Sequence, residues 1–234
     1  MIDHVRDLAS VRDATERLLT AVGKLDNAAV TDQSRLPGWT RGHVLSHLAR
    51  NADALVNVFE GRPMYASAEA RDADIERDAP RPLDAQLADV RESAARWQET
   101  ADALSDWSRT VELRNGVTDS ASRVPFRRWV EVELHHVDLG IGYELEDLPA
   151  EFVEREIGFL AERFTNHPEV PGIALMAQED AVRLEWCTGR QLDDEPIVVL
   201  GPSTALLGWL SGRTRGEGVD VLDEGVALPV LPTL

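Results

Sequence analysis

One short segment, residues 127–140, constrains both the fold and the chemistry of this chain; it reads RRWVEVELHHVDLG. Its spacing predicts a helix, in which successive residues are rotated by about 100°. Glu131, His135 and Asp138 then lie at positions i, i+4 and i+7 and form one stripe. Apolar residues border this stripe on both sides, so we expect its side chains to point into the protein.

Burial of this stripe would need a chemical reason, because ionisable groups are costly to bury unless they are paired or bind a metal. Glu131 and His135 supply one oxygen and one nitrogen ligand on adjacent turns, which suits zinc or a similar divalent ion. A Glu–His hydrogen bond without a metal is the alternative, and this segment does not decide between them. The rest of the helix surface, with Trp129, Glu133 and His136, is expected to face water.

Helical periodicity recurs through the first 145 residues and predicts a bundle of four main helices. Thr40 is a good N-cap for the second helix, and Pro125 is well placed as the first residue of the fourth. A loop region with one short helix near residues 67–77 joins the second helix to the third. The first three main helices are predicted at residues 3–25, 41–59 and 83–106.

The second helix carries two histidines, His43 and His47, and His47 lies at the border of its core face. A histidine at such a border is more often an ordinary core or edge residue than a metal ligand. No glutamate follows His43, so the His-Glu-x-x-His pattern of metalloproteases is absent. On this helix alone, either histidine is a candidate ligand and neither is assigned.

The sequence pattern changes after Pro171, where short apolar and alternating runs predict strands. A helix is expected before them, and another follows the third strand and ends at Gly212. We therefore predict an α+β fold, with a helical metal-binding domain at residues 1–148 and a small α+β domain at residues 149–234. The expected C-terminal elements are helices 149–165 and 203–211 and strands 173–177, 182–186, 195–201 and 219–222.

The charge balance of 24 basic and 42 acidic residues gives a net charge of −18, which disfavours nucleic acid and anionic membranes as partners. The single cysteine, Cys187, allows no disulfide within the chain and fits a reducing compartment. No apolar run approaches the length of a membrane span. We expect a cytoplasmic protein, with a monomer favoured and Cys187 as a small buried residue rather than a nucleophile.

Residues 36–55, LPGWTRGHVLSHLARNADAL, resemble the signature of mycothiol-dependent maleylpyruvate isomerases. Residues 63–67 (PMYAS) and the HHVDLG run at 135–140 match the same family, and LSGR at 210–213 resembles its second domain. The resemblance implies a DinB-like four-helix bundle that holds zinc, or another divalent metal, by two histidines and one glutamate. Carried over by position, the ligands are His47, Glu131 and His135, whereas His43 and His136 are not ligands.

The resemblance also implies a reaction, the mycothiol-dependent cis–trans isomerisation of maleylpyruvate to fumarylpyruvate in gentisate degradation. A zinc-bound thiolate of mycothiol would add reversibly to the double bond, and Arg213 would bind a carboxylate of the small anionic substrate. Arg127 and Arg128, a turn before Glu131, are expected to be solvated. Two alternatives stay open: a DinB-like mycothiol S-transferase acting on another electrophile, and a non-catalytic metal-binding or ligand-carrier protein.

Overall fold

The computed structural model describes residues 3–179, 182–190, 195–223 and 225–232. The chain forms two compact units, Met1–Tyr143 and Glu144–Leu234. The first is helical and the second contains a small sheet, so the predicted α+β class is confirmed. Within the described residues, no helix is both long enough and apolar enough to cross a membrane.

Four helices of the first unit form the predicted bundle: α1 (His4–Val22), α2 (Arg41–Phe59), α4 (Leu83–Asp102) and α5 (Val124–Asp138). Helix α2 packs mainly on α4, and α1 packs mainly on α5. Contacts of α1 with α4 and of α2 with α5 close the bundle. The short helix α3 (Ala68–Asp78) packs against α2.

Local chemistry explains where these helices begin and end. The Thr40 side chain accepts a hydrogen bond from the backbone of His43, and the His43 ring accepts one from the backbone of Thr40, so α2 begins with a capping box. Helices α1 and α4 end three and four residues earlier than predicted, at Val22 and Asp102. After both ends the chain makes tighter i to i−3 backbone bonds, such as Leu104 to Ala101.

The segment between α4 and α5 folds as a small antiparallel hairpin, β1 (Thr110–Glu112) and β2 (Thr118–Ser120). Asn115 and Gly116 lie between the strands with φ values of 60° and 72°, as their turn-forming character predicts.

The helices and strands of the second unit are α6 (Ala150–Phe164), β3 (Ile173–Glu179), β4 (Val182–Thr188), β5 (Ile197–Gly201), α7 (Ser203–Leu210) and β6 (Asp220–Val221). The strands form one sheet with the order β4-β3-β5-β6. Strands β3 and β5 are parallel, and the other two pairs are antiparallel. Helix α6 packs on α7 and β4, and α7 also packs on β3 and β5.

The expected burial of α5 and of Cys187 is wrong. The face of α5 predicted to meet water is buried, with relative exposures of 3% for Trp129, 0% for Glu133 and 2% for His136. The reason is that α1 covers this side of α5, and Arg17 of α1 binds the Glu133 carboxylate. Cys187 is exposed rather than buried.

Candidate metal centre

Three potential ligands converge where α2 meets α5. His47 comes from α2, and Glu131 and His135 lie one turn apart on α5. The Oε2 atom of Glu131 is 2.9 Å from Nε2 of His47 and 3.3 Å from Nε2 of His135. One ligand atom from each residue lies within 4.8 Å of the others, so the cluster has the size of a metal site.

The outer nitrogens of both histidines also have partners. Asp138, which is fully buried, accepts a hydrogen bond from Nδ1 of His135 at 2.8 Å. This bond fixes the ring and leaves its Nε2 lone pair for a metal, as carboxylate–histidine pairs do in metal proteins. Nδ1 of His47 lies 3.1 Å from Nη2 of Arg71, a residue of α3.

Burial and hydrogen bonds shift the pKa values of all three residues. Burial lowers the pKa of His47 to about 4, so this ring is neutral at pH 7. Burial alone would raise the pKa of Glu131, but hydrogen bonds from His135 and His47 hold it well below its usual range. Burial lowers the pKa of His135, yet its bonds to Asp138 and Glu131 outweigh burial and raise it. Because a ligand nitrogen must offer a lone pair, His135 can bind a metal only in its neutral form, and the raised pKa opposes this.

The two other histidines near the signature segments lie outside the cluster. The His43 ring caps α2 and reaches Glu76 at 3.3 Å. The His136 ring stacks on Tyr143 with 4.0 Å between ring centroids, on the side of α5 that faces α1. Both are absent from the group of potential ligands in the described residues.

Three residues beside the cluster were not predicted from the sequence. Arg128, expected to be solvated, is 1% exposed and donates to the Leu48 carbonyl and the Asn51 side chain. Within the described residues, Arg128 Nε and Nη2 have no hydrogen-bond partner. The other two are Arg71, which touches His47, and Tyr65.

A cavity of about 560 Å³ lies beside this region, between residues 61–68 and the β1–β2 hairpin. Tyr65 links it to the cluster, because Tyr65 lines the cavity and its hydroxyl lies in the field of Glu131. Burial and the charge of Glu131 both raise the pKa of Tyr65, so its hydroxyl stays protonated at neutral pH. The wall includes three arginines, Arg62, Arg109 and Arg114.

Arg213, the predicted catalytic arginine, belongs to the second unit. It follows Gly212, which ends α7 in the left-handed conformation with φ of 71°. Its side chain is partly buried, and Nη1 donates to the carbonyl of Ser211 at 3.0 Å. Its predicted role toward the metal centre stays a prediction.

Comparison with known families identifies the chain. The domain described as the mycothiol maleylpyruvate isomerase N-terminal domain matches residues 11–140, which is more than half of the sequence. The chain belongs to the mycothiol-dependent maleylpyruvate isomerase family. The C-terminal domain of the same family matches residues 147–231, so the resemblance seen in the sequence is confirmed.

Solved structures of this family share the fold. Two crystal structures of mycothiol-dependent maleylpyruvate isomerase, one of the enzyme and one of a histidine-to-alanine mutant, superpose with a TM-score of 0.86 each. They are 28% and 27% identical to this chain, and each alignment covers 99% of this chain and 97% of the other. No curated protein sequence gives a significant match.

Proposed function

We propose that this protein catalyses the mycothiol-dependent isomerisation of maleylpyruvate to fumarylpyruvate, with His47, Glu131 and His135 holding a zinc ion. The observation that carries the proposal is the convergence of two imidazole nitrogens and one carboxylate oxygen within 4.8 Å. It occurs in a chain of the mycothiol-dependent maleylpyruvate isomerase family. We assign the reaction to gentisate degradation in the cytoplasm, with the protein acting as a monomer.

The donor set fits a catalytic zinc site. Two histidines and one glutamate are a known set of three protein ligands, which leaves a coordination position open. Within the described residues the cluster offers these three ligands and no fourth, which supports a catalytic rather than a closed structural site. Together, bound zinc and mycothiol would supply a thiolate, which can add reversibly to the cis double bond and permit rotation about it before elimination.

The protein's own residues prepare this site. His47 is neutral because it is buried, and Glu131 is ionised because two histidines hydrogen-bond to it. Asp138 orients His135 through its Nδ1 atom. The sulfur comes from mycothiol, so Cys187, an exposed residue of the second unit, has no part in the reaction.

Arg213 is the residue we assign to a substrate carboxylate. A hydrogen bond to a charged group contributes roughly 1.5–3 kcal/mol, so Arg213→Ala should lower kcat/KM by about one to two decades. Zinc content, measured on the same preparation, should not change. Arg215→Ala, which removes a nearby arginine of the same unit, is the matched control. Wild-type kinetics for Arg213→Ala would show that the second unit provides no such contact.

The direct test of the reaction is to incubate zinc-loaded protein with mycothiol and maleylpyruvate and to follow fumarylpyruvate by its absorbance and by NMR. We expect catalytic formation of the trans isomer with mycothiol regenerated. If a stable mycothiol conjugate accumulates instead, the protein is an S-transferase, which the same metal site would serve. If neither product forms, it is a metal-binding or carrier protein.

A further inference from the structure

The metal centre and Arg213 leave the cavity between residues 61–68 and the β1–β2 hairpin without an assigned role. Its volume is about 560 Å³. Cavities that bind drug-sized ligands in proteins measure about 300–1,000 Å³. The cavity can therefore hold a ligand much larger than maleylpyruvate, which is a short-chain dicarboxylate.

A short series of contacts joins this cavity to the metal centre. Tyr65 lines the cavity, and the guanidinium of Arg71 lies 5.9 Å from the centre of the Tyr65 ring. The same guanidinium lies 3.1 Å from Nδ1 of His47. Val58 also lines the cavity, and it follows His47 on α2 by about three helical turns, roughly 16 Å. A ligand that fills the cavity and also reaches the metal centre must therefore be long.

The wall of the cavity is rich in hydrogen-bonding groups of different kinds. Its polar residues include Arg62, Arg109, Arg114, Ser67, Asn115 and Glu112. Guanidinium groups only donate hydrogen bonds and a carboxylate only accepts them, whereas a hydroxyl or an amide does both. This mixture suits a ligand with many hydroxyl groups, because each ligand hydroxyl can pair with either kind of partner.

The three arginines of the wall differ in the partners they already have. Arg62 donates from both Nε and Nη2 to the side chain of Asn57. Arg114 is exposed and lies at the turn of the hairpin. Arg109 donates from Nη2 to the carbonyl of Phe59, but its buried Nε has no hydrogen-bond partner within the described residues. A buried donor without an acceptor is costly, so Arg109 gains most from a ligand that offers an oxygen.

We propose that this cavity binds the glucosamine–inositol part of mycothiol, with Arg109 donating to a ligand oxygen and the cysteinyl thiol directed past Tyr65 toward the metal centre. This inference rests on the proposed function, because mycothiol is the thiol of that reaction. Mycothiol carries its cysteinyl group on two linked rings with many hydroxyls, so it has both the length and the hydrogen-bonding groups that the cavity requires. Maleylpyruvate is too short to fill the same space.

Binding of S-methylmycothiol, measured by calorimetry on the purified full-length protein, tests this site without turnover. The methylated sulfur cannot become a thiolate, so the affinity reports the contacts of the rings. Ala68→Phe adds a ring to the cavity wall and should weaken binding by roughly ten- to a hundredfold, as overpacking a filled site does. Ala73→Phe is the matched control, because Ala73 lies on the same helix, is exposed and does not line the cavity. It should bind like the wild type.

The arginines of the wall give a second comparison. Arg109→Met should weaken the binding of S-methylmycothiol by about ten- to a hundredfold. Arg62→Met removes the same charge from the same wall, but its effect should be smaller, because Asn57 already accepts the hydrogen bonds of Arg62. Melting temperatures show whether each variant is folded, and Ala68→Phe decides the test if Arg109→Met does not fold.

Wild-type affinity for S-methylmycothiol in Ala68→Phe would overturn the proposal. A second contrary result is that Ala68→Phe and Arg109→Met weaken the binding of maleate, a dicarboxylate probe, and leave S-methylmycothiol unaffected, since the cavity would then hold the substrate. None of these measurements depends on isomerisation. A protein that binds S-methylmycothiol in this cavity but forms no fumarylpyruvate would contradict the proposed reaction and leave this site intact.

Discussion

Helix α5 carries two glutamates, two residues apart, that enter two different polar clusters. Glu131 contacts His47 and His135, whereas Glu133 accepts hydrogen bonds from Arg17 at 2.6 Å, Trp129 at 2.9 Å and Tyr143 at 2.8 Å. Glu131 is 32% exposed at its side chain, and Glu133 is 1% exposed.

The two clusters differ in chemistry because of the residues that bind each glutamate, not because of the glutamates themselves. An imidazole nitrogen can give up its proton and offer a lone pair to a metal, but an arginine or an indole N–H offers none. The histidines beside Glu131 can therefore exchange a hydrogen bond for a metal bond. The donors around Glu133 saturate its carboxylate, and the bond from Arg17 joins α1 to α5.

The sharpest contrast should come from removing each carboxylate in turn. Glu131→Ala deletes a metal ligand, so zinc affinity should fall by more than the roughly 10- to 100-fold that loss of an outer hydrogen-bond partner causes. Isomerisation should fall with it. Metal analysis of the purified variant is the measurement, and His43→Ala, which removes a histidine outside the cluster, should keep stoichiometric zinc.

On the other side of the helix, Glu133→Gln should change stability and not zinc content. The amide cannot accept from Arg17, Trp129 and Tyr143 together, so we expect unfolding to cost about 2–3 kcal/mol less. Urea denaturation of the zinc-free protein measures this difference. If Glu133→Gln loses zinc but keeps wild-type stability, then the Glu133 cluster, and not only the Glu131 cluster, is needed for metal binding.

Asp138→Asn tests whether the hydrogen bond from Asp138 orients His135 for metal binding. The variant keeps the size of the buried side chain but loses the negative charge that His135 Nδ1 meets at 2.8 Å. Zinc affinity should drop by about 10- to 100-fold. Melting temperature should be recorded in parallel, and an unchanged zinc affinity would show that Asp138 does not orient the ligand.

Zinc binding by His47, Glu131 and His135 should depend on pH in a defined way. The pKa of His135 lies above 6.5 in the metal-free protein, and zinc must displace that proton. Zinc affinity should therefore rise by about tenfold per pH unit below the pKa of His135 and level off above it. His47, with a pKa of about 4, adds no further proton release near neutrality. A flat profile between pH 6 and pH 7, values set around the ordinary histidine pKa of about 6.5, would contradict the assignment.

Local sequence patterns predicted where the main helices lie, but not the burial of α5. The Thr40 cap and the limits of α2 follow from residues that are neighbours in sequence. The burial of Glu133 depends on Arg17, 116 residues away, and polar side chains on that face look solvated when the helix is read alone. Helix α5 is contacted by both α1 and α2, so a polar side chain such as Glu133 can be buried on the face that the sequence alone predicts to be exposed.

The candidate site shows the same division between local and distant information. The stripe of Glu131, His135 and Asp138 is visible from helical spacing. His47 lies 84 residues before Glu131, so only the family resemblance could add it. Arg71 carries no periodic signal that points to His47, and α3 brings it there only through packing on α2.

The central claim is that His47, Glu131 and His135 bind a metal ion, and that the thiol-dependent reaction requires this metal. The most direct measurement is the rate of fumarylpyruvate formation by one preparation, assayed as purified, after metal removal, after zinc is restored, and with or without mycothiol. The account predicts turnover only when zinc and mycothiol are both present, with recovery on zinc addition in the wild type and none in Glu131→Ala. Full turnover by the metal-free protein, or without any thiol, would contradict it.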